Sequence, residues 1–301
     1  MFMNVLVGVD GTANGRDAIA LASRLTDPKG AMTLANVRPG PLRPLHAVTP
    51  GLVEEERDAS MRMLRDERAA ASVDAELESV VAMTPGHGLH VRAEGQGADL
   101  LVVGSCGRGV IGRAMIGDDT RAALNGAPCA IAVASRGYAE RPNVPARIGV
   151  AYDASQESKA ALAVARELAA QTGATVRALQ VVSPPTYAFT GLVPTEMAST
   201  LDVVLEKTRT MMEELPGVEG EAIYGLPGQL LASFSDEVDL LIVGSRSYGP
   251  WRRLVLGSTS RYLARHARCS LLVVPRSAAP LGEDGEGGPE AHSKSRSMSL
   301  A

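Results

Sequence analysis

Aromatic side chains make up only 3% of this chain. A core must therefore be assembled from Val, Leu, Ile and Ala, which suits parallel strands buried beneath helices on both faces. Cysteine is sparse too: Cys106, Cys129 and Cys269 form an odd set without C-x-x-C spacing. That set fits a reducing compartment better than a disulfide framework. No apolar run approaches the ~18 residues that a membrane helix needs. The opening segment Met1 to Val7 lacks a basic stretch and reads as a first strand, not a signal peptide. A cytoplasmic location is expected. Positive charge is not in excess either, the formal net charge being −4, which argues against nucleic acid as the main partner. There is no Walker lysine motif and no arranged set of metal carboxylates. Fast phosphate-bond hydrolysis is accordingly not expected, and no catalytic or metal-binding residue is assigned.

What is present is a duplication. Ala98-Asp99-Leu100-Leu101-Val102-Val103-Gly104-Ser105 recurs as Val238-Asp239-Leu240-Leu241-Ile242-Val243-Gly244-Ser245, 140 residues later. The same offset carries Gly117 to Gly257 and Cys129 to Cys269, and Asp10 corresponds to Asp153 at a slightly larger one. A chain of 301 residues is long enough for two domains. The boundaries fall at 1–140 and 146–275, with a Pro-rich linker at 141–145. The remaining 276–301 is Gly-, Ser- and Glu-rich and is expected to be a disordered tail.

Short apolar runs at about 3–9, 31–37, 76–83, 99–104 and 129–134 predict five strands in the first half. Runs at about 146–152, 174–182, 219–224, 239–244 and 269–274 repeat them in the second. Between them lie amphipathic stretches at helical spacing, clearest at 51–72, 156–172 and 194–215. Alternating βα units imply an α/β fold with a parallel sheet and right-handed crossovers. The expected architecture is two tandem Rossmann-like domains, each a five-stranded parallel sheet in the flavodoxin type of order. Such sheets bind ligands beyond the carboxyl ends of their strands, where the strand order reverses.

The polar and glycine-rich signals fall there. Asp10 and Asp153 end the first strands. After the fourth strands come Gly104-Ser105-Cys106-Gly107, then Gly117, and Gly244-Ser245-Arg246-Ser247, then Gly257-Ser258-Thr259-Ser260 at a helix start. Glycines let backbone N–H groups approach phosphate oxygens, and a helix N-terminus favours an anion. The plainer reading is a tight turn followed by a helix cap. Arg246, Arg252 and Arg253 read as solvated loop residues, Trp251 as packing, and Cys106 as a small loop residue. His87 and His90 are three apart but lack a third ligand.

These loops resemble the G-x2-G-x9-G-S/T element of ATP-binding universal stress proteins, over about residues 1–275. The resemblance implies a stress-response regulatory protein that binds ATP or a related adenine nucleotide, with or without Mg²⁺. It places the adenine and ribose end at Asp153 with Val181, and at Asp10 with Val37. The family's usual His before that Val is replaced by Gln180 and Asn36. Phosphates would lie at Gly244, Ser245, Gly257, Ser258, Thr259 and Ser260, or at Gly104, Gly107 and Gly117. Neither half matches fully. Asp118 stands where the first half needs Ser or Thr, and a carboxylate ~4 Å from a phosphate costs about 4 kcal/mol at an effective dielectric near 20. Ser247 replaces the second glycine in the other half, at roughly 1–2 kcal/mol if a left-handed conformation is required. The C-terminal half is thus the expected site. The first half is left with weak binding, binding that needs Mg²⁺, or none. The resemblance further implies that 129–134 and 269–274 pair the two halves within the chain, and a homodimer remains open. The alternative is an interaction scaffold of the same fold that binds no nucleotide.

Overall fold

In the computed structural model, residues 1–40, 50–105, 126–141, 145–183, 195–247 and 254–275 are described. The first half runs β1 (Phe2–Gly8), α1 (Ala13–Leu25), β2 (Thr26–Pro39), α2 (Pro50–Ala71), β3 (Glu76–Ala82), α3 (Pro85–Gln96), β4 (Leu100–Gly104) and β5 (Ala130–Ala134). The second runs β6 (Arg147–Ala151), α4 (Gln156–Thr172), β7 (Thr175–Val182), α5 (Thr195–Glu213), β8 (Glu219–Tyr224) and α6 (Pro227–Phe234). It closes with β9 (Leu240–Ser247), β10 (Leu254–Val255), α7 (Ser258–His266) and β11 (Ser270–Pro275). The supposed tail 276–301 and linker residues 142–144 lie outside the described residues.

Local chemistry sets the helix ends. Thr12, Thr84 and Ser155 cap α1, α3 and α4 by accepting the N–H groups of Asn14, His87 and Ser158, each worth about 1 kcal/mol. Gly97 and Gly173 end α3 and α4 in the left-handed conformation, which glycine adopts without a Cβ penalty. Helix α3 carries Gly86, Gly88 and Gly95 and so has little intrinsic helix propensity. Packing explains it: a Cβ on Gly88 would sit 2.8 Å from Val37 Cγ1 and 2.9 Å from Ala82 Cβ. The glycine lets the helix lie directly on the sheet.

The strands form one sheet in the order β3-β2-β1-β4-β5-β11-β9-β6-β7-β8, with β10 attached to β9. Neighbours within each half are parallel, apart from the short β10. The α/β class with two Rossmann-like units stands. The strand order inside each unit is 3-2-1-4-5, whereas flavodoxin-type order would be 2-1-3-4-5. Two crossovers lead outward on the same side of the first strand, and only then does the chain return to its other side. The reversal still lies between the first and fourth strands.

Successive residues of β1 serve opposite faces. Val5 and Val7 pack with Ile19, Leu25 and Leu64 of α1 and α2. Leu6 packs on the other face with Leu89 of α3 and Leu101. The period of two in a strand produces this alternation, and each fully buried Leu or Val contributes about 1.5–3 kcal/mol. Both apolar layers continue across β5 and β11 into the second half.

There the halves join by an antiparallel ladder: Val133 faces Leu271, Ala132 faces Leu272 and Ile131 faces Val273. Ala132 and Leu272 are repeat equivalents, so the contact has the self-complementary form of a two-fold interface. Ser270 Oγ accepts the Ser135 N–H at 3.1 Å. Nearby, buried Asp17 of α1 accepts the N–H groups of Gly137 and Ala139, both at 2.8 Å, and so ties the chain leaving β5 to the first half. Among the described residues no helix is long and apolar enough to cross a membrane.

Candidate functional site

In the second half β6 and β9 are neighbours, from Ile148 beside Leu240 to Ala151 beside Val243. Beyond them the chain leaves to opposite faces: α4 packs in one apolar layer and α7 in the other. Between these exits a crevice of about 440 Å³ opens. Asp153, Val181, Gly244, Gly257, Ser258, Thr259 and Ser260 all line it. Ser245 does not. It is buried and lies in the ladder beside Pro275.

One wall is the turn after β6. Asp153 Oδ1 accepts the Ser155 N–H at 3.1 Å and also the Ser155 hydroxyl. Ser155 Oγ accepts the Ser158 N–H at 3.2 Å, and the Asp153 N–H reaches Ser158 Oγ at 3.3 Å. The turn holds Ala154 at φ +61°, a left-handed conformation costing an L-residue about 1–2 kcal/mol. Asp153 is therefore a turn former as well as a crevice residue.

The floor comes from strand ends. Tyr152 N donates to Leu179 O and Gly225 N to Val182 O, both at 3.0 Å. Alternate residues of a strand turn their backbone groups to the same neighbour. Val181 therefore turns its N–H and C=O toward the β6 side, where β6 has already ended. Leu179 and Val243 supply apolar surface beside it.

The opposite wall is the start of α7. Gly257 is its N-cap, with no side-chain cap hydrogen bond. The N–H groups of the first turn have no acceptor within a helix, and here Ser258, Thr259 and Ser260 border the crevice. A Cβ on Gly257 would meet nothing within 4 Å. Gly244 is needed for a different reason from the one its motif suggests. A Cβ there would lie 2.5 Å from the backbone C and O of Glu157, so this glycine lets the first turn of α4 close on β9. Nor does Gly244 end its strand: β9 continues to Ser247, which pairs with Leu254. Ser247 is extended and needs no left-handed conformation.

Ser155, Glu157, Ser158 and Pro227 also line the crevice and were not singled out in the sequence. The Asp-x-Ser turn ahead of a helical run was a readable signal for Ser155. Glu157 and Pro227 arrive only through tertiary packing. Among the described residues Asp153 and Glu157 are the charged side chains of the crevice, and no Lys or Arg lines it. Burial pushes the pKa of the Cys129 and Cys269 thiols up to about 12, so both are inert core residues. Among the described residues no group of three or more His, Cys, Asp and Glu side chains is placed to hold a metal ion.

Residues 1–135 and 146–275 each match the model of the universal stress protein family. The chain belongs to the universal stress protein family. It is 25% identical over 300 residues to a universal stress protein of Mycolicibacterium smegmatis, covering 90% of this chain and 96% of that one. The fold is similar to that of a universal stress protein from Archaeoglobus fulgidus, with a TM-score of 0.64 at 18% identity over 91% of this chain and 98% of that one. A universal stress protein structure from Pseudomonas aeruginosa gives 0.58 at 14%, over 91% and 93%.

In the first universal stress protein unit the same turn recurs. Asp10 Oδ1 accepts the Thr12 N–H at 3.0 Å and its hydroxyl at 2.7 Å, with Gly11 at φ +74°. Val9 N donates to Ala35 O at 2.9 Å, so Val37 is disposed as Val181 is. Gly104 meets α1 as Gly244 meets α4: its Cβ would lie 2.2 Å from Asn14 O. Gly107, Gly117, Cys106 and Asp118 lie outside the described residues, as do Trp251, Arg252 and Arg253.

Proposed function

We propose that this universal stress protein binds an adenine nucleotide in the second-half crevice and acts as a nucleotide-binding regulatory protein. One observation carries the reading: the uncapped start of α7 faces Asp153 and the free backbone edge of Val181 across a single crevice. The N–H and C=O of Val181 match the donor–acceptor edge of adenine. Asp153 suits ribose hydroxyls, and Ser258, Thr259 and Ser260 offer neutral donors to phosphate. The crevice volume lies within the range usual for small-molecule sites, about 300–1,000 Å³. Asp10, Val37 and Gly104 are the corresponding candidates in the first half.

Isothermal titration of the purified protein with ATP, ADP, AMP and cyclic AMP tests the proposal. A saturable heat with at least one of them is expected, and no heat with any of the four sinks it. Gly257→Asp projects a carboxylate into open space at the helix start and should weaken binding at least roughly tenfold. Unchanged binding in that variant would move the site to the first half. The scaffold reading draws on the Glu157 carboxylate of the crevice, which faces no lining cation among the described residues. It predicts no thermal shift with nucleotides and a stable protein partner. Mass spectrometry of small molecules that co-purify with the native protein separates the two readings.

A further inference from the structure

Glu157 lines the crevice from the first turn of α4, held there by the close contact between its backbone and Gly244. Among the described residues, Ser258, Thr259 and Ser260 border the crevice at the proposed phosphate end with hydroxyls and N–H groups. The Asp153 carboxylate is engaged by the N–H and hydroxyl of Ser155. The Glu157 carboxylate has no hydrogen bond or ion pair with any described residue. In the first half the equivalent residue, whose backbone packs on Gly104, is the neutral Asn14. The repeat thus keeps the backbone role and changes the charge.

An unpaired carboxylate in a crevice opposes each added negative charge on a ligand. At roughly 8 Å and an effective dielectric near 20, the Coulomb interaction exceeds a tenfold effect per unit charge before salt screening. We propose that Glu157 is the specificity-determining residue of the second-half crevice. It biases the site toward adenine nucleotides of low net charge: those with one phosphate, or those whose polyphosphate chain is neutralised by a divalent cation. This rests on the nucleotide reading above.

The test measures adenosine, AMP, ADP and ATP binding to full-length wild type, Glu157→Gln and Glu213→Gln, each with and without Mg²⁺. Glu213 is exposed on α5, away from the crevice, and its variant controls for net charge. Glu157→Gln should tighten free ATP roughly tenfold, ADP less, AMP least and adenosine not at all. Mg²⁺ should shrink the ATP gain, and Glu213→Gln should change nothing. Equal gains for adenosine and ATP would show a packing effect and overturn the inference. So would unchanged affinities in Glu157→Gln while wild type binds nucleotides, which leaves the nucleotide reading intact. Failure of all four ligands to bind wild type and Glu157→Gln overturns the nucleotide reading and this inference together.

Discussion

The turn after the first strand is built twice in this chain, as Asp10-Gly11-Thr12 and as Asp153-Ala154-Ser155. In both copies the Asp carboxylate accepts the N–H and hydroxyl two residues on, and that hydroxyl oxygen caps the next helix. The middle residue is left-handed in both, but only the first copy places glycine there. The polar groups are kept while the backbone cost differs, which separates what the turn needs chemically from what it tolerates conformationally. The second strands show the same pattern. Asn36 bridges Val9 O and Ser60 Oγ at 2.8 Å each, whereas its counterpart Gln180 leaves a buried Oε1 without a hydrogen-bond partner among the described residues.

The comparison can be broken most sharply at the paired glycines. Gly104→Ala and Gly244→Ala each force a Cβ into helix backbone and should cost about 3 kcal/mol, near the upper end of overpacking, in denaturant unfolding. Gly257→Ala meets open space and should cost no more than about 1 kcal/mol, from the poorer helix cap that alanine makes. If all three behave alike, the assignment of Gly244 to helix packing is wrong.

Exchanging the turn residues comes next. Gly11→Ala should lose about 1–2 kcal/mol through the left-handed backbone, and Ala154→Gly should gain up to about 1 kcal/mol. Equal small effects at both positions would show that the turn relaxes. The second-strand pair is a milder case. Asn36→Ala should cost about 1–2 kcal/mol by leaving partners unbonded, while Gln180→Leu should be neutral or stabilising.

The smallest expected difference is between the two buried cysteines. Each thiol is raised from 9.0 to about 12 by burial, so the folded state holds these protons more tightly than the unfolded chain. The resulting stabilisation is complete below pH 9 and is lost as pH rises from there toward 12. In a Cys106→Ser background, Ellman's reagent should label neither thiol at pH 8 until the protein unfolds. Prompt labelling of one thiol alone would reveal local opening at the start of β5 or of β11.

Much of this molecule is legible without coordinates. The 140-residue repeat, the aliphatic runs and the helical spacing give ten strands of two α/β units, because periodicity is a local property of the chain. The polar strand ends at Asp10 and Asp153 and the bare helix start at Gly257 were equally open to reading. Helix α3 was harder, since its three glycines speak against a helix and only contact with Val37 and Ala82 explains them.

Other features depend on residues far apart in sequence. Ser245 shares a motif with Gly244 but faces away from the crevice, because β9 runs on and alternates its side chains. Glu157 reaches the crevice through its contact with a strand some 87 residues later. The strand order was likewise settled by packing, whereas the joining of the halves through Ala132 and Leu272 follows the pairing that the family resemblance implied. Sequence determined which segments form strands and helices and where polar groups interrupt them. Tertiary structure decided which of those groups share one crevice, because register and layer packing sum contacts that no local window contains.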